Sequence, residues 1–406
     1  MGAMSDSALS VDLSPTATRG PMVSWFAVVA VTMGIFSIVT TEILPIGLLT
    51  AIGSSCHVSD GTAGILMTMP GLVASVAAPL VTVATGRRDR RRLLCVLMAL
   101  LALADFVSAV APTYWVLLLA RAVVGLVIGG FWSIGAGLAG RLVPACSVGR
   151  ATAVIFSAVP LGSVLGVPAG TLIGQLAGWR AAFLVLGAFT VAVLLALLAL
   201  LPPLPPGHVM RMAVLGGVLR RRGVRLGLLA TFLLVLAHFG TYTYVTPFLR
   251  EVTRLGPGWL SIFLLAYGAA GILGNFVAGA GVSHRPRATF MAGAALLAGA
   301  TLPLPVLGRS DLGALGLLLV WGLAYGAVPV CSQTWFARSA PDTPEAATVV
   351  FTSSFQATIS VGALLGGVVV DAAGVSSVMV CGGVCALLAV AALGVLGARA
   401  RPGAPA

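Results

Sequence analysis

Twelve apolar runs, at about 23–48, 61–84, 93–111, 115–140, 149–175, 181–201, 226–248, 258–280, 288–307, 312–336, 346–370 and 376–398, leave this chain little freedom in what it can become. A helix needs roughly 20 apolar residues to cross the hydrocarbon core of a bilayer, and these runs approach or exceed that length. Inside hydrocarbon every backbone N–H and C=O must be paired within the protein, which leaves helices or a closed barrel. Barrel strands would be short and alternating, whereas these runs are long and continuous. The expected class is an all-α polytopic membrane protein. Composition agrees: 59% of the 406 residues are hydrophobic and 8% charged, against about 25% charged in a soluble domain.

The formal net charge is +12, and all 23 basic residues are Arg. All but Arg121 sit in the tails and in the loops between apolar runs, so they report topology, and nucleic acid is not an expected partner. With the N-terminus inside, the inner segments hold Arg19, Arg87, Arg88, Arg90, Arg91, Arg92, Arg141, Arg150, Arg211, Arg220, Arg221, Arg222, Arg225, Arg285, Arg287, Arg338, Arg399 and Arg401, while the outer loops hold only Arg180, Arg250, Arg254 and Arg309. The positive-inside rule therefore predicts a multi-pass protein of a bacterial-type inner (plasma) membrane with both termini cytoplasmic. The expected division is a polar N-tail (1–22) without the charged start and apolar centre of a signal peptide, a six-helix bundle (23–201), a cytoplasmic linker (202–225), a second six-helix bundle (226–398) and a C-tail (399–406). The linker opens on PPLPPG, which ends the sixth helix, and its Arg cluster suits anionic headgroups.

A faint repeat supports the two halves. Gly162, Gly166 and Gly178 in the fifth span correspond to Gly362, Gly366 and Gly374 in the eleventh, and Gly125 in the fourth to Gly326 in the tenth. Matching six-helix halves are the design with which secondary transporters rock around a central site.

Glu42 lies in the first run with no basic residue near it in sequence. An ionised carboxylate at mid-bilayer costs on the order of 2.5–3.5 kcal/mol, so its side chain should face a bundle interior or a wet cavity. Two readings stand: proton or substrate work, or a side chain near the outer helix end that reaches water. Asp105 in the third span is a second membrane carboxylate, which is either the partner of Arg121, an independent proton site, or near the outer surface. Arg121 in the fourth span stays charged and needs a counter-charge or carbonyls. Candidates for the cavity wall are Trp132 in the first half, and His238, Tyr242, Tyr244, Asn275, Trp321, Gln333, Trp335, Ser353, Ser354 and Gln356 in the second. Aromatic faces with a few hydrogen-bonding groups suit a flat, mostly uncharged ligand, although packing explains each residue singly as well. His238 would join a proton relay if it titrates near neutral pH. The six Cys fall singly or within helices, without metal-ligand spacing. Nothing forms a nucleophile–base pair, a phosphate loop or a metal site, so neither an enzyme nor a cofactor is expected.

The segments TTEILPIGLLT, LLLARAVVGLVIGGFWSIGAGLAGRLVP, GWRAAF and LVWGLAYGAVPVCSQTWFARS resemble the major facilitator superfamily, and within it the proton-linked drug, arabinose and purine ribonucleoside efflux permeases. The likeness runs over nearly all of 23–398. It implies twelve helices in two pseudo-symmetric six-helix bundles. The loop 84–94 occupies the family's gating signature, G-x-L-A-D-R-x-G-R-R. Here Gly86 stands for the Asp and Asp89 for the second Gly, with Arg87 and Arg91 in the flanking basic positions, so the usual cytoplasmic latch is altered. By resemblance Arg121 helps couple protonation to substrate movement. Gly162, Gly166, Pro168 and Gly170 approximate the antiporter signature G-x-x-x-G-P-x-x-G-G, with Pro168 displaced by one. The implied function is export of a small organic molecule (nucleoside, sugar or drug, hence a multidrug-resistance role) in exchange for protons. Proton-coupled uptake or facilitated diffusion on the same fold is the alternative. The expected state is a monomer in the lipid bilayer.

Overall fold

The structure, a computed structural model, describes residues 21–84, 88–135, 138–205, 212–282 and 284–398. Twelve helices long and apolar enough to span a membrane follow one another: α1 (Pro21–Cys56), α2 (Asp60–Ala84), α3 (Arg90–Ala109), α4 (Tyr114–Gly135), α5 (Val148–Ala177), α6 (Trp179–Leu200), α7 (Arg222–Tyr242), α8 (Pro257–Val282), α9 (Pro286–Thr301), α10 (Asp311–Ser339), α11 (Pro344–Ala373) and α12 (Val375–Ala398). Short helices at Met212–Arg220, Val245–Glu251 and Leu304–Leu307 fill connections.

Several spans depart from the expected boundaries. The ninth, expected over 288–307, ends at Thr301 and resumes as Leu304–Leu307. The seventh is not one helix over 226–248: α7 stops at Tyr242 and the chain resumes as Val245–Glu251. In the other direction α1 runs on to Cys56, well past the expected end at 48. Glu42 therefore lies about 21 Å of helix rise from the C-terminal end of α1, well inside the span.

Helices α1–α6 pack among themselves, as do α7–α12, and the two sets meet along α2 with α11 and α5 with α8. Glycine makes the close approaches. A Cβ on Gly162 would sit 3.0 Å from Val39 Cγ1 and one on Gly166 3.0 Å from Thr40 Cγ2, so the α5 glycines seat that helix on α1. A Cβ on Gly125 would lie 2.8 Å from Pro70 Cα of α2, and one on Gly326 2.8 Å from the Gly271 carbonyl carbon of α8. The same device thus joins α4 to α2 and α10 to α8, as the internal repeat implies. The turns after α5 and α11 match as well. Gly178 (φ +85°) and Gly374 (φ +81°) are the positive-φ glycines among the described residues, a conformation that side chains with a Cβ resist.

Candidate functional site

Prolines set up the first element of the site. Pro45 lies inside α1 and Pro70 inside α2. Proline carries no N–H, so each leaves the carbonyl four residues earlier without its helical donor. Those carbonyls belong to Thr41 and Leu66. Arg121 supplies what is missing: its Nη1 donates to Thr41 O at 2.6 Å, Nε to Leu66 O at 2.9 Å, and Nη2 to Glu42 O at 2.6 Å. The guanidinium is fully buried, and its planar fork spans two helices from a third. Among the described residues neither membrane carboxylate forms an ion pair with it. Both Glu42 and Asp105 lie within its electrostatic range.

The two carboxylates occupy different surroundings. Asp105 is completely buried within the first set of helices, one turn from the Ala109 end of α3. Its Oδ2 accepts from Thr41 Oγ1 at 3.3 Å and Thr190 Oγ1 at 3.4 Å, Thr190 in turn meeting Ser37 at 2.5 Å, while Oδ1 has no partner. Glu42 instead points across the boundary. Its carboxylate lies against the side-chain amide of Gln356 on α11 and within electrostatic range of Tyr325 on α10. At 8% exposure it does not reach bulk water along a helix end, so the snorkelling alternative is corrected.

Tyr325 is the half-buried end of an aromatic cluster built by three helices. His238 stacks on Tyr325, with centroids 3.3 Å apart and planes 6° apart, and on Tyr242 at 5.0 Å. Tyr242 stacks on Tyr267 at 4.5 Å, and Trp321 meets His238 edge-on at 5.8 Å. The Trp321 indole N–H donates to His238 Nδ1 at 3.1 Å. A histidine accepting at Nδ1 holds its single proton on Nε2, so here His238 is a neutral stacked ring rather than a relay member. Tyr267 and Tyr325 were not among the expected residues. Their signal is a repeat, LAYGA at 265–269 and again at 323–327, on the two helices that close the cluster.

Other expected residues lie elsewhere. Asn275, half-buried on α8, and Gln333, exposed on α10, each sit eight residues past a cluster Tyr, about 12 Å along the helix axis toward the Arg-rich face. Trp132 is partly buried against the core. Pro168 and Gly170 are buried on α5, where a Cβ on Gly170 would meet Leu44 of α1. Gly86 and Arg87 lie outside the described residues. Asp89 does not reach the second set of helices. It caps α3 by accepting from Arg91 N at 2.8 Å, and it accepts from Leu204 N at 3.4 Å, while Arg91 Nη2 donates to Leu198 O at 2.5 Å. The altered signature thus ties α3 to the end of α6.

At the Arg-poor face the two sets are joined. The Asp371 carboxylate of α11 accepts from Ser59 Oγ at 2.8 Å and Gly61 N at 3.0 Å, a negative charge placed on the N-terminus of α2. Thr246 Oγ1 donates to Ile46 O at 2.9 Å.

Comparison with known proteins adds to this geometry. The family model of the Major Facilitator Superfamily matches residues 25–357. A Pseudomonas aeruginosa protein named transcription regulatory protein OpdE is 36% identical over 385 residues, covering 93% of this chain and 95% of its own. The purine ribonucleoside efflux pump NepI of Escherichia coli (strain K12) is 31% identical over 367 residues, 90% of this chain and 92% of its own. Among solved structures, a bacterial homologue of the human lysosomal transporter Spinster, inward-facing and unoccupied, superposes with a TM-score of 0.76 at 15% identity, covering 92% of this chain and 97% of that one.

Proposed function

The chain belongs to the major facilitator superfamily of membrane transporters, and on that premise we propose that it exports a small planar organic molecule across the plasma membrane in exchange for protons. The observation that carries this reading is Glu42, a buried carboxylate that stands at the boundary between the two helix sets against the buried amide of Gln356. A group so placed meets both the proton and the cargo, and only a movement of one set against the other changes its surroundings. The likeness to NepI favours a purine ribonucleoside or a ligand of that shape, and the face of Tyr325 beside Glu42 offers it a stacking partner. Orientation follows from charge: the Arg-rich face is cytoplasmic, with both termini. The bonds from Asp371 and Thr246 then join the two sets on the outer side. Cargo enters from the cytoplasm, the sets rock about the α2–α11 and α5–α8 contacts, and a proton from outside occupies Glu42 as cargo leaves. The protein acts as a monomer.

The name of the P. aeruginosa relative raises a regulatory reading, and flux separates the two. Purified protein in vesicles with an imposed proton gradient is given purine nucleosides, pentoses and lipophilic drugs while internal pH is recorded. Cargo-dependent proton movement in wild type and its loss in Glu42→Gln, with downhill exchange retained, is the expected result. Concentrative flux that survives Glu42→Gln removes Glu42 from coupling, and the absence of flux for every compound favours regulation.

A further inference from the structure

Gln356 has one half of its amide employed and the other idle. The side chain is 5% exposed. It lies against the Glu42 carboxylate, and an ionised carboxylate only accepts, so the NH2 group is the half that suits it. Oε1 is buried and has no hydrogen-bond partner. A buried acceptor without a donor is disfavoured and is kept where something else is meant to meet it. The backbone holds the residue in place: α2 passes so close that a Cβ on Gly71 would lie 2.6 Å from Gln356 O. With the backbone fixed, the terminal amide can still turn about Cγ–Cδ.

Resting on the exporter reading with Glu42 as proton site, we propose that Gln356 is a specificity-determining residue whose amide turns over when Glu42 takes up a proton. In the ionised state NH2 donates to the carboxylate and Oε1 faces the boundary as an acceptor for a cargo N–H or O–H. A proton from water adds to one Glu42 oxygen, converting it to a donor. The amide then rotates about Cγ–Cδ so that Oε1 accepts the new O–H, and NH2 faces the boundary instead. No covalent bond in Gln356 forms or breaks. A cargo donor that met an acceptor now meets a donor, so protonation expels cargo bearing N–H or O–H groups from this contact. The remaining charged and titratable groups facing Glu42 are Arg121 of α4 and Tyr325 of α10, with Asp105 of α3 acting through Arg121. Arg121 is held by three carbonyls and does not move with the proton.

The chain has three glutamines, Gln175, Gln333 and Gln356, which makes the amide visible by isotope. Protein carrying 13C in its glutamine side-chain carbonyls is reconstituted and followed by proton-induced infrared difference spectroscopy without cargo. The expected result is a carboxyl band that appears on acidification, accompanied at the same midpoint by a shift of one labelled amide band. Glu42→Ala, which adds no further glutamine, loses both, and Gln356→Met, of similar size, loses the amide band alone. A carboxyl band lost in Glu42→Ala beside a stationary amide band in wild type overturns the inference and leaves the exporter reading intact. If Glu42→Ala removes no component of the carboxyl band at that midpoint, the assignment of the proton to Glu42 falls, and this inference with it. The key measurement is made on wild type, so a misfolded variant does not stall it.

Discussion

Arg121 and Pro45 should be coupled in stability, although they touch only through a carbonyl. Arg121→Met removes three hydrogen bonds, of 2.6, 2.6 and 2.9 Å. The Glu42 carbonyl retains its helical donor on Ile46, but the Thr41 and Leu66 carbonyls have none, because Pro45 and Pro70 stand where the donors would be. Two orphaned buried acceptors at about 1–3 kcal/mol each give a loss of roughly 2–6 kcal/mol. Pro45→Ala restores one N–H opposite Thr41 O. In wild type that N–H meets a carbonyl already served; in the Arg121→Met background it meets an empty one. The double-mutant cycle should therefore show a coupling of about 1–3 kcal/mol, with Pro45→Ala stabilising the Arg121→Met background by that much more than wild type. Losing the guanidinium charge beside Glu42 and Asp105 affects the single Arg121→Met variant and the double variant equally and cancels in the cycle. The assay is reversible unfolding in mixed micelles at rising SDS fraction, for wild type, both single variants and the double. Additive effects would mean that Arg121 does not serve the proline-freed carbonyls, and would sink the argument for what buries it.

Other sites give independent checks. Gly61→Ala places a Cβ 2.5 Å from the Gly367 carbonyl oxygen across the boundary, so the Arg-poor end should no longer close; a cysteine at position 60 should label faster with a membrane-impermeant maleimide, and unchanged labelling would refute the seal. Gly178→Ala forces a side chain into a conformation of φ +85° and ψ 155°, at a cost of about 1–3 kcal/mol in the same unfolding assay. Trp321→Phe keeps the packing but strips the donor from His238 Nδ1, which should cost about 1–3 kcal/mol; a neutral result would show that the indole bond does not hold the cluster. Tyr325→Leu should weaken cargo binding by about 0.5–1.5 kcal/mol, roughly two- to twelvefold in Kd by titration calorimetry, if the ring stacks on cargo.

The polar residues show how far linear reasoning reaches. Glu42, Asp105 and Arg121 stood out because a charged group in an apolar run is expensive wherever the helices later pack. Their roles were not legible. The partners of Arg121 are carbonyls, which every residue has; what singled them out was two prolines on two other helices. Asp105 and Glu42 look alike as carboxylates in spans, yet one is enclosed in its own helix set and the other reaches the opposite one. Gln333 and Gln356 also look alike, but the first is exposed while the second is buried against Glu42 at the boundary between the two sets. Tyr267 and Tyr325 could have been found from the LAYGA repeat, although nothing in it says that the two rings meet around His238.

Transfer from water to hydrocarbon is a local quantity, summed residue by residue along a helix. Linear order was therefore enough to place the twelve spans, to predict their direction from the Arg loops, and to point to the family. Rotation of each helix about its axis, and the height at which one set faces the other, depend on contacts between segments hundreds of residues apart. Those two variables lie outside any local sum and emerge only when the helices pack: Arg121 on the freed carbonyls, the aromatic cluster around His238, the Asp371 clasp on α2, and Glu42 against Gln356.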